Sequence, residues 1–223
     1  MGESIRRPLT ELFPGWEGPD EPWILHFHCY LLRDGRGRTT LVDTGIGGTD
    51  SPASSWAPVP GTLLGELAAT GTKPSDVDTV VLTHVHSDHV SGAFRDGRPV
   101  FENARHVVQR AELDAPQISL LDPVKDLLHV VDGQAEISPG VTVHLAPGHT
   151  PGHQIARVGE VAMTGDLLLI PAQLDNPAIG YLYDDDQAQA TRTRTELLAA
   201  LRAEGAVLST GHFEDPFVDL TTR

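Results

Sequence analysis

Cysteine is almost absent: Cys29 is the only one in 223 residues. That excludes an internal disulfide and fits a reducing compartment. No stretch approaches the ~20 apolar residues that a membrane helix needs. The opening MGESIRRPLTELFPGWEG carries two arginines with no apolar run behind them, so no secretory signal is expected. Positive charge is also scarce, with 16 Lys and Arg against 31 Asp and Glu and a formal net charge of -15. No basic cluster offers a nucleic-acid face, and an acidic total disfavours anionic membranes. The expectation is a cytoplasmic protein whose partner is a small molecule, with no nucleic acid and no membrane. Homo-oligomerisation stays open.

Hydrophobic residues make up 39% of the chain, enough for a globular fold, which is expected as a single domain over residues 1–223. WILHFHCYLL (23–32) and TTLVDTG read as strands around a DGRG turn, and a helix is expected at about 61–70, ending at Gly71. TVVLT (79–83) has the β-branched run of a buried strand and leads into HVHSDHVSG, a loop that opens a helix. ARHVVQ is a further strand, and 110–127 a mixed stretch with short helices. EIS pairs with VTVHLA, and QIARV with VAMTG, as two hairpins. Asp186 caps a helix to about Glu204, with Gln189 completing a capping box and Gly205 the stop; AVLST is the last strand. Strands in both halves with helices between them imply two packed sheets with helices outside, an α+β class.

Eleven histidines is a high count, and their placement matters more. His84, His86, Asp88 and His89 fall within six positions directly after a strand. On a helix His84 and His86 would point apart, but at a strand end both can face one ion. Asp88 and His89 are adjacent and better placed for a second ion. His149 in APGHTPGH, Asp166 in TGD and His212 in STGHF end later strands, each after a glycine that lets the backbone turn sharply. Imidazole and carboxylate suit Zn2+, with Mn2+, Co2+ and Fe2+ as alternatives. Two ions about 3.5–4 Å apart would make water an attacking base near neutral pH and polarise a scissile bond, so no Ser or Cys nucleophile is needed.

HVHSDH followed by GH149, GD166 and GH212, with VDTG at 42–45, resembles the metallo-β-lactamase superfamily over about residues 23–213. The resemblance implies a four-layer αββα sandwich with two Zn2+ at one edge. His84, His86 and His149 would hold the first metal, Asp88, His89 and His212 the second, and Asp166 would bridge them. Asp43 would orient a ligand from behind. Asp88 and Asp166 would be the catalytic carboxylates, with Asp88 or metal-activated water protonating the leaving group.

Among branches of the family, secreted β-lactamases need an export signal and do not generally use Asp at the bridging position. Glyoxalase II enzymes carry a C-terminal helical domain, whereas this sequence ends 11 residues past His212. The acidic charge disfavours RNA-processing nucleases, and the motif histidine that flavodiiron proteins replace is intact. The chain is most similar to stand-alone hydrolases such as quorum-quenching lactonases and methyl parathion hydrolase-like enzymes. The implied activity is cleavage of an ester, lactone or related acyl bond, with phosphotriesters or thioesters as neighbouring substrates. An iron-dependent oxidoreductase of the sulfur dioxygenase type and a non-catalytic metal binder are the readings from other classes.

Some lactonases place a tyrosine three residues after the bridging aspartate. Leu169 stands there, leaving Tyr181 or Tyr183 to substitute. Residues 14–22 and 44–60 are expected to wall the substrate site, with Trp16, Trp23 and Trp56 shared between mouth and packing. His26, His28, His106, His129 and His144 read as strand or packing positions, His153 as divided between packing and ligand support, and Asp184–Asp186 as a helix N-terminus rather than a third metal site.

Overall fold

The computed structural model describes residues 7–222. Its strands are β1 Tyr30–Arg33, β2 Thr39–Val42, β3 Thr79–Val81, β4 Phe94–Arg95, β5 Arg98–Pro99, β6 Arg105–Gln109 and β7 Leu128–Val131 in the first half. The second half adds β8 Ala135–Ser138, β9 Val141–Leu145, β10 Gln154–Val158, β11 Val161–Gly165, β12 Val207–Thr210 and β13 Phe217–Asp219. The helices are α1 Leu9–Leu12, α2 Leu63–Ala69, α3 Ser87–Val90, α4 Ala172–Asp175 and α5 Gln187–Ala203.

One sheet runs β1-β2-β3-β6-β7, antiparallel only at β1–β2, and the other β13-β12-β11-β10-β9-β8, parallel only at β11–β12. Side-chain alternation along each strand builds the layers. In β3, Val81 faces inward and meets Val42, Val107 and Val131 of its own sheet and Val143, Ala156 and Met163 of the other. Its neighbours Val80 and Leu82 face outward, onto Leu67 of α2 and Leu121 and Val124 of the 3-10 run Ile118–Leu127. On the far side, Ala162 and Leu208 face Leu198 and Leu201 of α5. Each such apolar side chain taken from water contributes ~1.5–3 kcal/mol, and only this order of layers buries both faces of both sheets. The expected αββα sandwich is thus present.

α5 begins where Asp186 accepts from Gln189 N at 2.8 Å and stops before Gly205, whose φ is 67°. The capping box is only half formed, because the Gln189 side chain turns to Thr193 and Arg192 instead. Its inner face is Ala190, Thr193, Arg194, Leu198 and Leu201, a helical spacing broken by one charge. The expected strand over 23–32 forms only from Tyr30. Residues 23–29 leave ladder geometry to lie across the end of the second sheet, where His28 N donates to Gly211 O at 3.0 Å. β13, short and polar-flanked, gave no period-2 signal.

Candidate metal centre

Parallel strands bring their C-terminal ends to one edge. β2 and β3 end beside each other and deliver Asp43 and His84, while β11 and β12 deliver Asp166 and His212. The β9–β10 connection carries His149, the turn after β3 carries His86, and α3 carries Asp88 and His89. Two glycines are required for these turns. Gly165 has a φ of 49°, and a Cβ there would lie 2.8 Å from the Thr83 side chain; Gly148 has a φ of 134°, and its Cβ would fall 2.2 Å from Ala190 N. Gly211 differs from the expectation. Its φ is not in the left-handed region, and a Cβ would meet only ordinary contacts at 3.4 Å.

All seven residues picked from the sequence converge, in two groups. In the first, His84 Nε2 and His149 Nε2 each lie 3.0 Å from His86 Nδ1, and Asp166 Oδ2 lies 3.1 Å from His149 Nε2 and 3.8 Å from His84 Nε2. In the second, His89 Nε2 and His212 Nε2 are 3.3 Å apart, each 3.6 Å from Asp88 Oδ2 and 3.0 Å from Asp166 Oδ1. Ligand atoms arranged tetrahedrally at ~2.0–2.2 Å from an ion stand about 3.3–3.6 Å apart, so both groups have the compactness a cation needs. Asp166 divides its oxygens between them, and Oδ1 is buried with no hydrogen-bond partner. A buried carboxylate oxygen left without a donor is costly. It faces only ring nitrogens, as a bridging ligand would. The residues present therefore fit a pair of metal ions.

In four of the five ligand histidines the nitrogen turned away from the centre is held. Asp43 Oδ2 is 2.8 Å from His89 Nδ1 and accepts from Thr83 Oγ1 at 2.8 Å, while Oδ1 accepts from Thr83 N at 2.7 Å. Its φ of 58° is unusual for a residue with a side chain, and Asp is among the few that tolerate it. Thr83 Oγ1, its proton committed to Asp43, accepts from His84 Nδ1 at 3.0 Å. His212 Nδ1 donates to the carbonyl of His26 at 2.6 Å. His149 Nδ1 meets Asp184 Oδ1 at 2.9 Å, and Asp184 Oδ2 lies 3.4 Å from Arg194 Nη2. Fixing one ring nitrogen settles the tautomer and aims the other inward.

Asp184 is thus more than part of a helix start. It is a buried support that the sequence reading missed; only Asp186 of that acidic run caps α5. His153 also supports the centre: its Nε2 accepts from Asp166 N at 3.0 Å and its Nδ1 donates to Ala146 O at 3.1 Å. Burial holds His153 neutral, with a pKa pushed down to about 3. His86 is likewise lowered, to about 4, by burial and then by His149. Burial would lower His149 too, but the Asp166 and Asp184 carboxylates reverse it and bring it up to about 9. His89 and His212 are raised in the same way, against burial, chiefly by Asp166. Without metal the centre therefore holds protons that a cation must displace.

The groups open onto a cavity of about 920 Å³. One part of its wall is apolar, made by Leu12, Trp23, Leu25, Leu120, Leu169 and Trp56, and another is polar, with Arg7, Gln117 and Asp185. The expected walls contribute little, since only Trp56 comes from 44–60 and nothing from 14–22; Trp16 turns away, donating to Pro19 O at 2.9 Å. The loop at 181–185 contributes instead, and Tyr181 stacks on His149 with ring centroids 6.0 Å apart. Burial first, then the charges of Asp166 and Asp88, push the Tyr181 phenol up, so it keeps its proton. No helix among the described residues is long and apolar enough to cross a membrane.

Comparison with known proteins bears on this arrangement. The sequence model of the metallo-beta-lactamase superfamily matches residues 27–212. An N-acyl homoserine lactonase of a Bacillus species is 32% identical over 171 residues, covering 68% of this chain and 65% of the relative. That of Bacillus cereus is 30% identical, covering 63% and 61%. The chain thus spans slightly under two thirds of the length of these relatives. Among solved structures, AidC, a dizinc quorum-quenching lactonase in complex with a product, superposes with a TM-score of 0.82 at 21% identity over 97% of this chain and 85% of that one. AbOPH, a hydrolase in the beta-lactamase superfamily, gives 0.82 at 23% identity over 98% and 86%. Strand ends, ligand order and family match run through the same residues, and the chain belongs to the metallo-beta-lactamase superfamily.

Proposed function

We propose that the protein is a metal-dependent hydrolase that opens a small lactone or ester bearing an apolar chain, of the N-acyl homoserine lactone kind. The observation that carries this reading is Asp166, which offers one oxygen to each histidine group and has no other partner for Oδ1. His84, His86 and His149 with Asp166 would hold one ion, and Asp88, His89 and His212 with Asp166 the other, Zn2+ being the ion best matched to this donor set. When bound, such a pair polarises a carbonyl oxygen and makes water acidic enough to attack near neutral pH.

The chain's own residues supply the rest. Leu12, Leu25, Leu120 and Trp23 exclude water and seat an aliphatic chain. Tyr181 enters the cleft as a protonated donor beside His149, where it can bond the scissile carbonyl in the role that Leu169 cannot fill. Asp88 borders the cleft with Oδ2 beside His89 and His212, where it can take the proton that the attacking water gives up and return it to the leaving alkoxide. The lactonase names of the relatives and the apolar walls together support an acyl lactone over a charged substrate.

The test is acid release by the zinc-loaded protein on N-acyl lactones of graded chain length, with aryl esters, phosphotriesters and thioesters alongside. Turnover that rises with chain length and is lost in Asp166→Asn supports the reading. Turnover confined to phosphotriesters or thioesters would move the substrate class. Oxygen uptake with an iron-loaded sample, or no turnover on any member of the panel, would end it.

A further inference from the structure

Besides Asp43 and Asp184, a third buried carboxylate beside the metal centre belongs to neither ligand group. Glu112 lies in the 3-10 turn Arg110–Asp114 after β6 and is 1% exposed. Its oxygens are filled by three donors from two loops. Oε2 accepts from Val85 N at 2.9 Å, and Oε1 accepts from Gly152 N at 2.8 Å and from Thr150 Oγ1. Val85 stands between His84 and His86, and Thr150 follows His149. A single side chain thus grips both loops that present the histidines of the first group.

Burying a carboxylate is costly unless its oxygens are saturated. Burial pushes the Glu112 carboxyl up, and the Thr150, Gly152 and Val85 hydrogen bonds pull it back. An apolar contact would join the loops at lower cost but would fix no direction; three aimed donors do. The glycine at 152 fits the same reading. Its backbone is not left-handed, yet a Cβ there would fall 2.6 Å from Glu112 N and 2.7 Å from Glu112 Cγ. The second glycine of PGHTPGH makes room for this carboxylate.

We infer that Glu112 is a positioning residue for the first metal group: it sets the spacing of the His84–His86 loop against the His149 loop. It thereby sets the affinity and geometry of that group and not of the other. The inference rests on the metal-dependent reading above. The second group has its own supports, Asp43 behind His89 and the His26 carbonyl behind His212.

Glu112→Gln isolates the effect. Its amide oxygen can keep Thr150 and Gly152, while its NH2 meets Val85 N–H donor to donor. Zinc uptake against a chromophoric chelator, and visible absorption of the Co2+-loaded protein, are the readouts. The expected result is a loss of ~10–100-fold in affinity for one ion, with the other within about threefold. The cobalt bands of the weakened ion alone should shift. Thr150→Val should act in the same direction by less, and it decides the matter if Glu112→Gln does not fold. Two ions bound with wild-type affinity and unchanged bands would overturn the inference, and so would equal weakening of both with a lower melting temperature. Wild-type protein that takes up fewer than two ions would sink the reading of the centre itself, and this inference with it.

Discussion

His89 and His149 perform matching duties in their two groups, yet they are backed in different ways. Behind His89 stands Asp43, held by Thr83 and by a left-handed backbone at the end of β2, with no Arg or Lys paired to it among the described residues. Behind His149 stands Asp184, whose other oxygen faces Arg194, itself tied to the carbonyls of Leu167 and Ile179 at 2.8 Å. One support is a lone carboxylate held from the adjacent strand; the other is half of a buried ion pair whose partner stands ten residues on, within α5. The difference teaches that a ring can be aimed equally well by either device, but the failures differ. Losing Asp43 frees the His89 ring and the Thr83 hydroxyl. Losing Asp184 also strands a guanidinium in the core.

The most severe way to break this comparison is Asp166→Asn, since Asp166 serves both groups. It should cut turnover at least ~1,000-fold, about 4 kcal/mol of transition-state stabilisation, and leave fewer than two ions bound by elemental analysis. Next comes Asp184→Asn. It should cost ~3–5 kcal/mol in denaturant unfolding, because Arg194 is left buried without its counter-charge. Asp184→Asn with Arg194→Met should restore much of that stability without restoring metal affinity; if the double variant is no more stable than the single, the ion pair is not what fails. Asp43→Asn keeps a residue that accepts positive φ. It should weaken metal binding ~10–100-fold with a smaller stability loss of ~1–3 kcal/mol.

Acidity sharpens the comparison further. In metal-free protein His149, His89 and His212 are raised, so the stability they confer is full below about pH 6.5 and is lost as pH climbs, through about 9 for His149. His84, His86 and His153 are lowered, so the neutral form they need is present above about 6.5, and stability falls as pH drops toward 4 and 3 for the latter two. The melting temperature of metal-free protein should therefore peak near pH 6.5, and metal uptake there should release protons measurable in weak buffer. A metal-free melting curve that keeps rising to pH 9 would contradict these assignments. The smallest effect is expected at the cap of the helix that carries Arg194. Asp186→Ala should cost ~0.5–2 kcal/mol and leave metal affinity unchanged.

What could be read in the sequence was chemical and local. His84, His86, Asp88 and His89 form a dense cluster after a strand, and His149, Asp166 and His212 each follow a glycine, so residue type and neighbours alone marked them. The burial of β3 followed from its β-branched run. The supports were another matter. Asp184 meets His149 across 35 positions and Glu112 meets Val85 across 27, and no periodicity links such pairs. Asp184 also resembled an ordinary helix start because Asp186, two places on, is one. The strand expected over 23–29 failed because aromatic and apolar content can line a cleft as readily as it fills a sheet, and Trp23 and Leu25 do the former.

Asp43, His84 and His89 hang from one sheet and Asp166 and His212 from the other. Neither half of the chain can assemble the centre alone. Bound cations would work as a clasp across the sandwich, adding RT ln(1 + [L]/Kd) to stability only once the sheets have met. Metal uptake during refolding should then lag behind each sheet's own formation and mark the moment the two halves close.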